Sequence, residues 1–203
     1  MAAPVRLLLL RHGESTWNAE RRWQGQADPP LSAVGVGQAR AAAPALEAVT
    51  AVWSSDLRRA SRTAELLAGP ACPVRLDARL RERHVGAWTG LTREAIEARY
   101  PGWLEDGRRP DGWEPDETVH GRGLPAVRAA VAASAPGVVL IAVTHGGLIR
   151  AVARGLGGES WPIPNLGGVW LVGDRDHLAL GPRVSLLAGD GPSLDGGAGP
   201  AVE

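Results

Sequence analysis

Two histidines in the sequence each follow a run of apolar residues and precede a glycine. His12 comes directly after Val5–Leu10 and Arg11, and His145 follows the apolar run Val138–Val143. The simpler interpretation is that each apolar segment only reaches the surface at this point. The alternative is that a buried strand presents a reactive imidazole, because histidine is a common nucleophile and general base and a neighbouring guanidinium binds anions.

Two further segments place charged residues after shorter apolar runs. SSDLRRASRTA (54–64) contains three arginines, and LRERHVGAW (80–88) contains Glu82 between Arg81 and Arg83. Taken singly, paired arginines are typical of a solvated helix face, and Glu82 would form an ion pair with Arg81 or Arg83. If the strands before these segments are neighbours, however, the imidazoles, guanidiniums and carboxyl group share one pocket. Such a pocket predicts an anion site with an acid beside it.

Apolar runs alternate with helical patterns along the chain. Strands are predicted at Val5–Leu10, Val49–Trp53, Val74–Leu76, Val138–Val143, Val169–Val172 and Val184–Leu187, the last two antiparallel or at an edge. Helices are predicted at 32–49 with a kink at Pro44, and at 57–67, 93–100, 123–133 and 147–156. The pattern predicts an α/β fold, a three-layer α/β/α sandwich with a mostly parallel six-stranded sheet. Ligands of such sheets bind at the carboxyl ends of the strands.

The chain has 203 residues, and we expect a single domain at 1–188. The stretch 101–121 is rich in Pro, Asp, Gly and Trp and lacks periodicity, which predicts a long loop or lid. The stretch 189–203 has the composition of a disordered tail.

Composition excludes several kinds of chemistry. The 22 basic residues are all arginines, so Schiff-base enzymes and lysine-containing P-loops are excluded. The single cysteine, Cys72, allows no internal disulfide. The formal net charge is zero, which argues against recruitment to nucleic acid or a membrane surface by overall charge. No signal peptide or membrane span is apparent, and we expect a cytoplasmic protein. A homodimer is considered, but the sequence does not determine the oligomeric state.

Five ordered motifs resemble those of the histidine phosphatase superfamily, the phosphoglycerate mutase-like proteins. RHGESTWN (11–18) resembles the opening motif, with Ser15 where the family usually has threonine. The other matches are QGQADPPLSAVG (24–35), SSDLRRASRTA (54–64), LRERHVGAWTG (80–90) and VTHGG (143–147). Together they cover about residues 5–172 and imply the phosphoglycerate mutase-like fold.

The resemblance also implies a role for each site residue. It makes His12 the nucleophile that receives a phosphoryl group, Glu82 the proton donor, and Arg11, Arg59 and His145 the phosphate clamp. It places Asn18, Gln24 and Gly25 in contact with the transferred group, and we include Gly146 among the substrate-binding residues. Two guanidiniums can neutralise a phosphate, and no metal-ligand motif occurs, so neither a metal ion nor another cofactor is expected.

The resemblance leaves more than one function open. We expect a phosphatase that acts on a small phosphorylated metabolite, of the sugar phosphate or glycerate phosphate class. A cofactor-dependent phosphoglycerate mutase is the alternative, because Arg108 and Arg109 resemble a mutase arginine pair. Against it, the chain has Gly147-Leu148 after the second histidine motif and Val85 where mutases carry tyrosine. A binding protein without catalysis is disfavoured, since the nucleophile and the acid are both present.

Tryptophan is frequent in this chain and offers one clue to the substrate. Four tryptophans could line a sugar-binding mouth or could simply pack in the core and loops, and they are Trp103, Trp113, Trp161 and Trp170.

Overall fold

The chain folds around a six-stranded sheet in a computed structural model that describes residues 3–46, 48–70 and 72–187. The predicted tail at 189–203 lies outside these residues. The strands are β1 (Val5–Arg11), β2 (Ala51–Ser54), β3 (Val74–Leu76), β4 (Val139–Thr144), β5 (Gly167–Gly173) and β6 (Leu178–Ser185). Their order across the sheet is β3-β2-β4-β1-β5-β6.

The sheet is mixed, which corrects the prediction of a mostly parallel one. β1 pairs in parallel with β4, and β2 pairs in parallel with both β3 and β4. β5 runs antiparallel to β1, and β6 runs antiparallel to β5 at the edge of the sheet. The short turn at 174–177 explains the β5–β6 pairing, since strands joined by a tight hairpin must be antiparallel. The expectation that the last two strands are antiparallel or at an edge is confirmed.

Helices cover both faces of the sheet. They are α1 (Thr16–Ala19), α2 (Ala33–Ala42), α3 (Arg58–Ala68), α4 (Arg93–Arg99), α5 (Asp116–Ala132) and α6 (Gly146–Gly155). Leu7 and Leu9 of β1 pack in a cluster with α5 and α6, whereas Leu8 and Leu10 pack with α2 and α3. Successive strand residues point to opposite faces, so a strand that is apolar throughout can serve two cores. These layers confirm the predicted α/β/α sandwich.

In the described part of the chain, three short 3-10 helices lie at Ala43–Leu46, Ala78–Leu80 and Gly86–Trp88. The first continues α2, and it contains Pro44, where the sequence predicted a kink. Ser32 caps α2 as expected, because its side chain accepts a hydrogen bond from the Gly35 backbone N–H at 3.0 Å.

The largest errors in the predicted boundaries concern α5 and β6. Helix α5 begins at Asp116, two turns before the predicted start at residue 123, so the loop predicted at 101–121 ends at Pro115. Gly123 lies inside the helix, where it allows α6 to pack closely, since a Cβ there would meet Leu148 and Val152 of α6 at 3.2 Å. Strand β6 begins at Leu178 and not at Val184, and it includes Pro182, which an edge strand tolerates.

The register of β1 and β4 sets the position of the two motif histidines. Arg11 lies opposite Thr144 at the carboxyl ends of these parallel strands. The next residues, His12 and His145, therefore leave the sheet side by side. Their ring centroids are 5.1 Å apart with the planes at 63°.

Candidate active site

His12 is held in one orientation by its own backbone. The side chain is 3% exposed, and its Nδ1 lies 2.6 Å from the Gly13 carbonyl oxygen. Because a carbonyl only accepts hydrogen bonds, the ring proton belongs on Nδ1 and Nε2 carries a lone pair. The Nε–H of Arg59 donates to this Nε2 at 3.2 Å, which agrees with the same tautomer.

Arg59 is the buried arginine of the 54–64 segment. Arg58 is exposed, and Arg62 pairs on the surface with Glu65. Arg59 instead donates through Nη1 to the Ala27 carbonyl at 2.7 Å and through Nη2 to the Gly25 carbonyl at 2.8 Å. Burial lowers the pKa of Arg59 to about 10, so the guanidinium is still charged at neutral pH.

Arg11 lines the pocket, whereas His145 is fully buried next to His12 and is not among the lining residues. Arg11 donates through Nη1 to the Ile163 carbonyl at 2.6 Å. His145 lies at the N-cap of α6, and its Nε2 is 3.0 Å from the Ser55 hydroxyl. Its Nδ1 is buried without a hydrogen-bond partner in the described part of the chain. A buried polar atom without a partner is costly, so this nitrogen is a candidate contact for a phosphate oxygen.

Both histidines are kept neutral by their surroundings. Burial lowers the pKa of His12 well below its usual value, and the charges of Arg59 and Arg11 lower it further. Burial likewise lowers the pKa of His145, with Arg59 as the next cause. An imidazole must be neutral to act as a nucleophile, so the same arginines that attract an anion also keep His12 in its reactive form.

Glu82 reaches the pocket from the loop after β3. Its Oε1 accepts a hydrogen bond from the Arg83 backbone N–H at 2.8 Å, and its Oε2 accepts one from the Gly147 N–H at 3.0 Å. The flanking arginines form ion pairs elsewhere, Arg81 with Asp56 and Arg83 with Asp116. The simple ion pair that the sequence offered as an alternative is therefore absent, and the carboxyl group borders the pocket.

Arg122 fixes the backbone that carries Glu82, and sequence reasoning missed it. Its Nη1 donates to the carbonyls of Arg79 and Arg81 at 2.8 and 2.6 Å, and its Nη2 donates to that of Glu82 at 3.0 Å. Its Nε and Nη2 also hold the Glu114 carboxylate at 2.7 and 2.9 Å. All five guanidinium N–H groups are thus used.

The four predicted substrate-binding residues all line the pocket, and they are Asn18, Gln24, Gly25 and Gly146. The side-chain oxygen of Asn18 accepts a hydrogen bond from the Ser15 backbone N–H at 3.1 Å, and that of Gln24 accepts one from the Ser15 hydroxyl at 2.9 Å. This leaves the amide N–H groups as donors for a ligand. Asn165, which sequence reasoning also missed, donates to the His12 carbonyl at 3.0 Å.

The pocket has a volume of about 730 Å³ and a strongly basic lining. Its carboxylates are Glu82, Asp116 and Glu117. Its eight arginines are Arg11, Arg21, Arg22, Arg59, Arg83, Arg109, Arg150 and Arg154. Of these, Arg11, Arg59 and Arg109 were assigned a candidate ligand role from the sequence. The rest were missed, although Arg150 follows Gly146 by one helical turn and so shares its face.

The structure separates the arginine pair of the lid. Arg109 lines the pocket, whereas Arg108 pairs with Asp106 and lies over Trp103. Of the four tryptophans considered from the sequence, Trp113 alone borders the pocket, and Trp23 joins it there. Arg83 and Arg109 lie 5.2 and 5.0 Å from the Trp113 ring, so this wall presents guanidiniums rather than a free aromatic face. Trp161 and Trp170 contact Arg183 and Arg6 instead.

Across residues 3–46, 48–70 and 72–187, no group of three or more His, Cys, Asp or Glu side chains is arranged to hold a metal ion. None of the helices within these same ranges is both long and apolar enough to cross a membrane.

The fold and the paired histidines define a class of α/β phosphoryl-transfer proteins, and comparison with known proteins agrees. The histidine phosphatase superfamily (branch 1) matches residues 7–167. A glucosyl-3-phosphoglycerate phosphatase of Mycolicibacterium vanbaalenii is 43% identical over 183 residues, 81% of this chain and 80% of that protein. The chain belongs to the histidine phosphatase superfamily.

Two further comparisons bear on the reaction. A probable phosphoglycerate mutase GpmB of Cronobacter sakazakii is 41% identical over 130 residues, 58% of this chain and 60% of that protein. The solved structure of a mycobacterial glucosyl-3-phosphoglycerate phosphatase with VO3 superposes with a TM-score of 0.76 at 35% identity, covering 87% of this chain and 96% of that one. The chain is an enzyme of the phosphoric monoester hydrolase class, which confirms the predicted function class.

Proposed function

We propose that this enzyme hydrolyses small phosphomonoesters through a covalent phosphohistidine at His12. The observation that carries the proposal is the fixed tautomer of His12, with Nδ1 on the Gly13 carbonyl and Nε2 toward Arg59. In the first step Nε2 attacks phosphorus as the bond to the ester oxygen breaks, and Glu82 gives its proton to that oxygen. In the second step Glu82 takes a proton from water, which attacks phosphorus and releases phosphate and neutral His12.

The charge that builds up on the phosphoryl oxygens is matched by side chains. Arg11 and Arg59 supply two guanidiniums, which bind phosphate oxygens by paired hydrogen bonds. His145 adds its unpartnered Nδ1, and Asn18 and Gln24 add amide N–H groups. We therefore infer that hydrolysis needs no added metal ion.

The pocket and the relatives support a proposal for the substrate class. A cavity of about 730 Å³ accommodates a ligand larger than inorganic phosphate. Eight lining arginines against three carboxylates favour an anionic ligand. Since a relative over most of the chain is named glucosyl-3-phosphoglycerate phosphatase, we propose a glycerate phosphate, free or glycosylated, as the substrate.

The test is phosphate release from a panel of phosphomonoesters by the purified enzyme, in EDTA and without a bisphosphate primer. The panel includes 3-phosphoglycerate, glucosyl-3-phosphoglycerate and p-nitrophenyl phosphate. We expect phosphate release that EDTA leaves unchanged. An absolute requirement for Mg²⁺ would contradict the arginine clamp, and absence of release from every ester would contradict the phosphatase activity.

Mutase activity is the second candidate, favoured by the GpmB relative and by Arg109 in the pocket wall. It predicts interconversion of 2- and 3-phosphoglycerate that depends on 2,3-bisphosphoglycerate and outpaces phosphate release. The cytoplasmic location, the homodimer and the lack of nucleic-acid or membrane partners stay predictions from the sequence.

A further inference from the structure

Arg150 is a pocket residue without a role in the phosphoryl-transfer scheme above. It belongs to α6 and lines the pocket one turn beyond Gly146. A Cβ at Gly146 would lie 3.4 Å from Arg150 Nη1 and 3.9 Å from Arg11 Nε. The two guanidiniums therefore flank the same point, and Arg150 lies close to where a phosphate on Arg11 would bind.

The protein itself does not neutralise this guanidinium by contact. Among the side chains that the structure describes, Arg150 has neither a hydrogen bond nor an ion pair. Asp116 is held by Arg83 and Arg154, and the Glu82 carboxylate is held by backbone N–H groups. Burial lowers the pKa of Arg150 because a charge is removed from water, and the charge of Glu82 offsets part of this shift. A partly buried cation of this kind is stabilised when a ligand anion pairs with it.

Counting charges at the reacting centre gives the same result. When Glu82 is protonated to act as the acid, Arg11, Arg59 and Arg150 contribute three positive charges while the two motif histidines are neutral. A dianionic phosphate ester neutralises two of them. Among these groups, the charge of one guanidinium is then left for a further anionic group of the substrate.

We propose that Arg150 binds a carboxylate of the substrate, so that the enzyme selects phosphate esters of hydroxy acids. A carboxylate matches the planar guanidinium by two parallel hydrogen bonds. The short separation of Arg150 from Arg11 favours an acid group within a few bonds of the phosphorylated carbon. This inference rests on the proposed function and adds a specificity residue to the same site.

A matched pair of substrates tests it. 3-Phosphoglycerate carries the carboxylate, and glycerol 3-phosphate has a hydroxymethyl group in the same place. We expect the wild-type enzyme to hydrolyse 3-phosphoglycerate with a kcat/KM at least tenfold higher. If neither ester is hydrolysed, and p-nitrophenyl phosphate is not hydrolysed either, the proposed function fails. If both esters are hydrolysed equally well, this inference alone is overturned.

Variants of Arg150 then test whether this side chain causes the preference for 3-phosphoglycerate. Arg150→Met should lower kcat/KM for 3-phosphoglycerate by about 10- to 100-fold, the effect of losing a charge-assisted hydrogen bond. The loss for glycerol 3-phosphate should be at least tenfold smaller. Arg150→Lys keeps the charge without the paired geometry, so its kcat/KM for 3-phosphoglycerate should lie between those of wild type and Arg150→Met. Arg128→Met, an exposed charge removal on α5, serves as the matched control.

Two outcomes would overturn the assignment. An equal loss for both esters in Arg150→Met would mean that Arg150 serves the transferred phosphate itself. The second outcome concerns the preference for fructose 1,6-bisphosphate over fructose 6-phosphate. If Arg150→Met lowers this preference in kcat/KM more than it lowers the preference for 3-phosphoglycerate over glycerol 3-phosphate, Arg150 binds a second phosphate. If thermal denaturation shows that Arg150→Met is not folded, the same two esters are compared in Arg150→Lys and wild type. An equal loss for both esters in Arg150→Lys would then overturn the assignment.

Discussion

His12 and His145 couple the stability of the fold to pH. Both are buried, and burial together with Arg59 lowers the pKa of each well below its usual value. In the unfolded chain an imidazole titrates at about pH 6.5. Below that pH the unfolded state therefore binds protons that the folded state does not, so the free energy of unfolding falls as the pH falls.

The expected loss can be calculated from this difference. At pH 5.5, one unit below the unfolded pKa, each histidine that stays neutral in the folded state lowers the stability by about 1.4 kcal/mol. For His12 and His145 together the loss between pH 7.5 and 5.5 is about 2.7 kcal/mol. This is a large part of the roughly 5–15 kcal/mol of stability typical of a protein domain.

Urea denaturation at pH 7.5 and 5.5 in phosphate-free buffer measures this loss. The His12→Asn/His145→Asn double variant should lose less than about 0.5 kcal/mol over the same range, because it lacks both titrating rings. His84→Ala, which removes an exposed imidazole, is the control and should behave as wild type. The reasoning is refuted if wild type and double variant lose the same stability between the two pH values.

Three further changes probe the acid group and its supports. Glu82→Gln should slow hydrolysis of alkyl phosphates about 100-fold or more and that of p-nitrophenyl phosphate much less, since nitrophenolate leaves without a proton; equal slowing would exclude the proton-donor role. Gly147→Ala should give the same leaving-group dependence with little change in melting temperature, because its Cβ would clash with the Glu82 carboxylate, whereas Gly37→Ala has open space and should remain fully active. Arg122→Met should lower the free energy of unfolding by about 3–5 kcal/mol, measured by urea denaturation, because it leaves the mostly buried Glu114 unpaired; a loss below 1 kcal/mol would contradict this.

The central part of the fold was predictable because single elements carry strong signals. The run Leu7–Leu10 is apolar on both faces, which requires a strand between two helical layers, and the structure has β1 there. From the parallel pairing with β4 it follows that His12 and His145 are neighbours. The resemblance to the family motif at 54–64, and not the hydrophobic periodicity, identified Arg59 among the three arginines of that segment.

The errors arose where tertiary packing overrides local propensity. Gly121, Gly123 and Pro125 are typical helix breakers, yet α5 passes through all three, since Gly123 permits the close approach of α6. Arg122 and Arg150 act through partners that are distant in sequence or supplied by a ligand, and a single sequence does not show which arginine faces a pocket. For such residues the side-chain geometry is the first source of information.

The most direct test of the account is the identity of the phosphorylated residue during turnover. Rapid quenching with a radioactive phosphomonoester, followed by peptide mapping, should locate an acid-labile, base-stable phosphoryl group on His12. The adduct should be absent from His12→Ala and retained in His84→Ala. Label on another residue, or undiminished turnover by His12→Ala, would contradict the claim that this imidazole is the nucleophile.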